Sequence, residues 1–303
     1  MKLALSTMYA QQPRFASGEA FAEYAAEAGY DGIEVSHSTP EAKLREILDS
    51  GILPVVSIHQ PAPLVEVEGG KSNHDLNLAS TKRSEHARAV RHALRSLEWA
   101  AEAGAAALVV HLGHVEGSFA GTTAEVYRLF RQHDIRNNRA AEARAEMEQR
   151  RAEAAPAHLE AARAALEQLV DAARPHGIVI GIENRLEMHQ IPLPHESLAL
   201  MEGFSPDEVG HWHDTGHGEV LARLGYLPHA TWFDELGDRL VGAHVHDVRG
   251  VIDHRAPGTA QLDWEMVAGG LGSLDTLTLE IDQRETDEDV RAAPAFLRSV
   301  GLG

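Results

Sequence analysis

Eight times along this chain a short apolar run is followed by a segment with helix signals. The runs are LALS at 3–6, YDGIEV, ILPVVSIH, AAALVVHLG, GIVIGIENR, EVGHWHDTGH, VGAHVHD and LDTLTLEI. Near-continuous apolar strands of this kind are buried on both faces, as in parallel sheets. Helices are expected from about Ser17 to Gly29, over PEAKLREILDSG with Gly51 as its stop, and over 82–103 closed by Gly104. Two more are expected through VLARLG and over about 286–299. Eight strand–helix units in 303 residues favour an α/β fold, a single (β/α)8 TIM barrel, over an open sheet. No linker divides the chain, so 1–303 is read as one domain. Its one long insertion is a helical extension at about 121–176, between strands four and five, rich in Ala, Glu, Arg and Leu. Pro156 is expected to break it into two helices. Its charges read as a solvated helical face, with a lid or a dimer arm as the alternative.

Composition narrows the function. With 46 acidic and 27 basic residues the formal charge is −19, which argues against general attraction to nucleic acid or an anionic membrane. No apolar run approaches the roughly 20 residues of a membrane helix. MKLALSTMYA has no cleavable signal pattern and reads as a first strand, so the cytoplasm is the expected compartment. There are no cysteines, so any metal must sit on His, Asp and Glu, and 19 histidines are more than packing needs.

Those residue types fall where a barrel would use them. His59, His111, Glu183, Asp214, His244 and Glu280 stand at strand ends, and Glu34 stands at the end of strand two. In a TIM barrel all of these face one mouth. His244 and His246, two apart, should project to the same side. Glu183, Asp214, His244 and Glu280 make an oxygen-rich set with one nitrogen, suited to Mn²⁺, Mg²⁺, Co²⁺ or Zn²⁺. A metal there can bind two oxygens of a sugar, and a glutamate on each side can remove and return a proton. A strand-end histidine alone is more often a hydrogen-bonded core residue; the company of Glu183 favours the ligand reading for His59 and His111. Arg185 and Arg255 can grip a phosphate or carboxylate, or form structural ion pairs. His246 and Asp247 are expected to contact substrate or support the ligands, and Glu34 to contact substrate or pair with an arginine at the barrel mouth. Trp212 and Trp264 read as packing; His114, His189, His211 and His213 carry no assignment.

IENR, HDTGH, HVHD with DHRAPG, and LEI together resemble the xylose-isomerase-like TIM-barrel superfamily. It holds sugar and sugar-phosphate isomerases and epimerases and the endonuclease IV type of AP endonuclease. The resemblance implies that Glu183, Asp214, His244 and Glu280 match the epimerases' metal site, the two glutamates also being the catalytic acid–base pair. It favours His244 over His246, because an acid follows three positions on, at Asp247. His59 and His111 match two further zinc ligands of the endonuclease type, and His217 and His254 match ligands of its third zinc. Ile252 stands where that type has an aspartate, with Asp253 beside it.

The first expectation is therefore a metal-dependent isomerase or epimerase of a sugar, sugar phosphate or related polyol, with one to three divalent ions per chain. The second is a multinuclear zinc phosphoesterase, whose extra histidines it explains and whose DNA substrate the charge opposes. The third is a non-catalytic metal- or ligand-binding barrel. A small-molecule partner is common to all three, and the family analogy allows a homo-oligomer.

Overall fold

The computed structural model describes residues 1–272 and 274–303. The apolar runs form β1 (Lys2–Ser6), β2 (Gly32–Val35), β3 (Val55–His59), β4 (Ala107–Val110), β5 (Val179–Glu183), β6 (Val209–Asp214), β7 (Leu240–Val245) and β8 (Thr276–Leu279). Each pairs in parallel with the next, and β8 pairs with β1, which closes the barrel. The TIM barrel expected from the strand pattern is the observed fold.

Around it lie α1 (Gly18–Glu27), α2 (Glu41–Ser50), α3 (Arg83–Ala103), α4 (Ala120–Arg131), α5 (Asn138–Ala173), α6 (Pro194–Met201), α7 (Thr215–Arg223), α8 (Ala230–Leu236), α9 (Trp264–Leu271) and α10 (Asp287–Ser299). Their ends follow local chemistry. Ser17 Oγ accepts from the Ala20 backbone N–H at 3.1 Å, capping α1. Gly51 and Gly104 take left-handed φ of 57° and 66° and terminate α2 and α3. No helix among the described residues is long and apolar enough to cross a membrane.

The insertion departs from expectation. α5 runs unbroken through Pro156, and the break between helices lies upstream, at 132–137, where His133 turns left-handed with φ 62°. Proline removes one helical hydrogen bond, but the turns on both sides of Pro156 are pinned. Arg151 donates to both oxygens of Glu196 at 2.6 and 2.7 Å, the pair being buried. Two residues past the proline, His158 Nδ1–H donates to the Ala79 carbonyl at 2.7 Å, and Nε2 accepts from the Glu116 backbone at 3.2 Å. These anchors hold the helix continuous.

Inside the barrel, Trp212 fills the space beneath the mouth. A Cβ at Gly181 would meet its side chain at 2.8 Å, and one at Gly242 at 2.1 Å, so the flanking strands leave room for the indole. Trp212 is a packing residue, as expected. After β7 the chain makes a short hairpin, Asp247–Arg249 against Ile252–Arg255, which returns His254 to the mouth.

Candidate metal centre

The C-terminal ends of the strands converge on His244. Its Nδ1 lies 3.3 Å from Glu183 Oε1, 3.2 Å from Glu280 Oε2 and 3.8 Å from Asp214 Oδ2. Parallel register sets this up, since Asp214 and His244 are paired positions on β6 and β7. On the far edge of the ring, Nε2–H donates to both oxygens of Glu34, at 2.9 and 3.1 Å. Ser57 Oγ also donates to Glu34, at 2.7 Å. Glu34 is fully buried and orients His244.

Glu183 faces two ways. Its Oε1 looks toward His244, and its Oε2 lies 2.6 Å from His111 Nε2 and 3.1 Å from His59 Nε2. His59 Nδ1–H donates to the Gln60 carbonyl at 2.9 Å, which turns Nε2 to the centre. Arg185 approaches the same Oε2 at 3.3 Å and touches the His111 ring. Ligand atoms of His59, Glu183, His244 and Glu280 all lie within 4.8 Å of one another.

A second group adjoins the first. Ligand atoms of Asp214, His217 and His254 also lie within 4.8 Å of one another. Asp214 Oδ1 accepts from the His217 backbone N–H at 2.7 Å, capping α7. Its Oδ2 accepts from His246 Nε2–H at 3.0 Å, while His246 Nδ1 accepts from the His254 backbone at 2.8 Å. His246 therefore ties Asp214 to the hairpin. At the departure, Ile252 is 52 % exposed, and the neighbouring Asp253 turns inward. Asp253 Oδ1 lies 3.2 Å from His254 Nδ1, and its buried Oδ2 lies 3.8 Å from His217 Nε2 with no hydrogen bond of its own. His254 holds a left-handed φ of 55°, a strained conformation for histidine.

The electrostatics favour a cation. Burial opposes the charge on Glu280, yet His244 and His254 hold its pKa well below the ordinary range. Burial likewise opposes protonation of His244, but Glu280 and Glu34 raise its pKa well above the usual value. Carboxylates of Glu34, Glu183, Asp214 and Glu280 all crowd that one imidazole, and Glu280 Oε1 has no hydrogen-bond partner. Buried carboxylates in this number need positive charge between them. The His, Asp and Glu donors present fit a divalent ion.

Other expectations shift outward. Asp247 is buried and accepts backbone N–H groups of Val248, Gly258, Ala260 and Leu262 at 2.8–3.1 Å, so it organises the loop after the hairpin and not a substrate. Arg255 pairs with Glu285, the structural ion pair foreseen as its alternative. Two participants carried no expectation. Asn184, fully buried, clamps β5 to β6 by donating to the Asp214 carbonyl at 2.9 Å and accepting from its N–H at 2.6 Å. His37 sits edge-on to His59 with ring centroids 4.9 Å apart and keeps a buried Nδ1 without a partner. A histidine just past the β2 end was the available signal.

Fold and site together define a (β/α)8 barrel with a His–carboxylate centre at the C-terminal mouth. The profile of the xylose isomerase-like TIM barrel family matches residues 22–300, and the chain belongs to that family. No curated protein matches it in sequence. Among solved structures it is similar to a D-tagatose 3-epimerase-like protein, at 17 % identity and TM-score 0.68, covering 99 % of this chain and 97 % of that one. The 3-keto-D-glucoside 4-epimerase of E. coli is similar at 18 % identity and TM-score 0.62, covering 99 % of each chain. An IOLI protein with a bound zinc atom is similar at 13 % identity and TM-score 0.66, covering 99 % and 98 %. At these identities the likeness is one of fold.

Proposed function

We propose that this protein is a divalent-metal-dependent isomerase or epimerase of a sugar or sugar derivative. The observation that carries the reading is the convergence of Glu183, Glu280 and Asp214 on His244 Nδ1. Those four residues would hold the ion, which would stabilise negative charge developing on substrate oxygens. Glu183 and Glu280 both approach His244 Nδ1, at 3.3 and 3.2 Å, and one would remove a proton from the carbon next to a carbonyl while the other returns it. Glu34 and His246 keep His244 and Asp214 in the tautomer and orientation the centre needs. Arg185, at the edge of Glu183, is the side chain best placed to grip substrate.

A second reading has its own support. Glu183 divides its oxygens between His244 and the His59–His111 pair, and Asp253 completes the His217–His254 group. A carboxylate bridging two ion positions suits phosphoester hydrolysis, where two metals stabilise the attacking and leaving oxygens.

The test is metal identity and count per chain on protein purified without added metal, together with deuterium uptake from heavy water into ketoses. One manganese, cobalt or magnesium with deuterium uptake supports the isomerase. In that case His59→Ala and His111→Ala keep substantial activity. Two or three zincs with phosphodiester cleavage and no uptake support the hydrolase, and either substitution then abolishes activity. No metal after each ion has been offered sinks both.

A further inference from the structure

Two neighbouring cavities lie beside the candidate centre. The inner one, about 270 Å³, is lined by Gln60, His74, His111 and Arg185, and His111 and Arg185 are two of the residues that touch Glu183 Oε2. Gln60 is 3 % exposed, and its Oε1 has no hydrogen-bond partner. His114 lines both cavities, so the two lie side by side with that residue between them. The outer one, about 740 Å³, has Ala120, Thr123, Ala124 and Tyr127 of α4 as one wall and Leu186 and His189 from the loop after β5 as another. Sites for drug-sized ligands run roughly 300–1,000 Å³, with apolar and aromatic lining and few polar groups. The inner cavity has the size of one ring. The outer has room for more than another.

α4 is the part of the insertion that does not lead into a barrel strand. α5 packs on α3 and leads directly into β5, which serves the crossover from β4. α4 instead packs on α5 and presents one face to the outer cavity. From this placement we infer that the protein acts on a sugar carrying a second ring, with the reacting ring beside Glu183 and the second ring between α4 and the loop after β5. The inference rests on the sugar reading above. The second ring is a sugar or an aryl group, since a mixed apolar and polar wall accommodates either.

The experiment measures kcat/KM for deuterium uptake by the metal-loaded full chain on three probes. These are D-fructose, maltulose (the same ketose bearing a glucosyl ring) and 4-O-phenyl-D-fructose (the same ketose bearing an aryl ring). At least a tenfold preference for maltulose or for the phenyl ether over fructose is expected, and which of the two is preferred identifies the second ring. Ala124→Trp, at an exposed position on the outer wall, should erase that preference by raising KM for the two-ring probe. Tyr127→Ala provides a second variant that opens the wall instead of filling it, and should also reduce the preference. Uptake into all three probes at equal efficiency overturns the inference and leaves the sugar reading standing. So does a preference that neither variant changes. No uptake into any probe overturns the sugar reading and this inference with it.

Discussion

Glu34 has no exposed surface and directs both oxygens at one imidazole edge. A carboxylate in that position raises the basicity of the ring's other nitrogen and fixes its direction, and loss of such partners typically lowers metal affinity or activity by 10–100-fold. Glu34→Gln keeps the shape and removes the charge. It should weaken metal binding by about that factor, read by calorimetric titration of Co²⁺ or Mn²⁺ into the chelated protein; unchanged affinity would remove Glu34 from the centre. The strand-end residues were legible in the sequence because a strand that ends in His or Glu inside an apolar barrel has few uses for it. The partners were less legible. Whether Glu34 reaches His244 or a substrate, and whether Asp247 faces the mouth or the loop behind it, depends on distances across the barrel that spacing along the chain does not carry.

At the scale of elements, β-strand placement and the helical insertion followed from the sequence, while the break within the insertion did not. Proline rules penalise Pro156 wherever it stands, but the Arg151–Glu196 pair and the His158 contacts that hold α5 together come from elsewhere in the sequence. His133 turns left-handed without being glycine, so the one local signature of the actual break was Asn137, which caps α5 by accepting from the Ala140 N–H at 2.8 Å. Pro156 is exposed, and its ring is not needed by the core. Pro156→Ala restores a backbone hydrogen bond and should raise unfolding free energy by about 1–3 kcal/mol, checked by urea denaturation. A loss of stability would mean that the ring packs usefully in the groove against α6.

A second prediction at this scale concerns the seam between β6, α7 and α8. His211 Nε2 lies 3.2 Å from His213 Nδ1, His213 Nε2 lies 3.0 Å from His229 Nε2, and His229 Nδ1–H donates to Glu219 at 3.1 Å. Burial lowers the His211 pKa from its ordinary 6.5 to about 4. Below pH 6.5 the unfolded chain binds a proton there that the folded chain refuses, so stability falls as pH drops from 6.5 toward 4. The loss tends to about 3 kcal/mol at this one site. His211→Phe keeps the stacking on Trp232 and removes the titration, so its stability should decline less over that range than the wild type's. Parallel declines would place the acid sensitivity elsewhere.

For the molecule as a whole, the barrel gathers strand-end ligands from across its circumference in a chain of formal charge −19. An acidic protein with a buried, carboxylate-rich mouth concentrates divalent cations by its field as well as by its ligands. The unfolded chain offers no such arrangement, so ion binding is linked to folding. At free ion one hundred times the dissociation constant, the folded state gains about 2.7 kcal/mol. For a domain of this size that amounts to a rise of roughly 5 °C in Tm, given about 2–4 °C per kcal/mol in slightly smaller domains. Differential scanning calorimetry of the chelated protein should show that rise on adding Mn²⁺, Co²⁺ or Zn²⁺. The same rise should be nearly absent in Glu183→Ala, because Glu183 is the one side chain shared by His59, His111 and His244. If every ion left Tm unchanged in the wild type, the convergence on His244 would be an ion-paired barrel core, with the protonated imidazole supplying its positive charge.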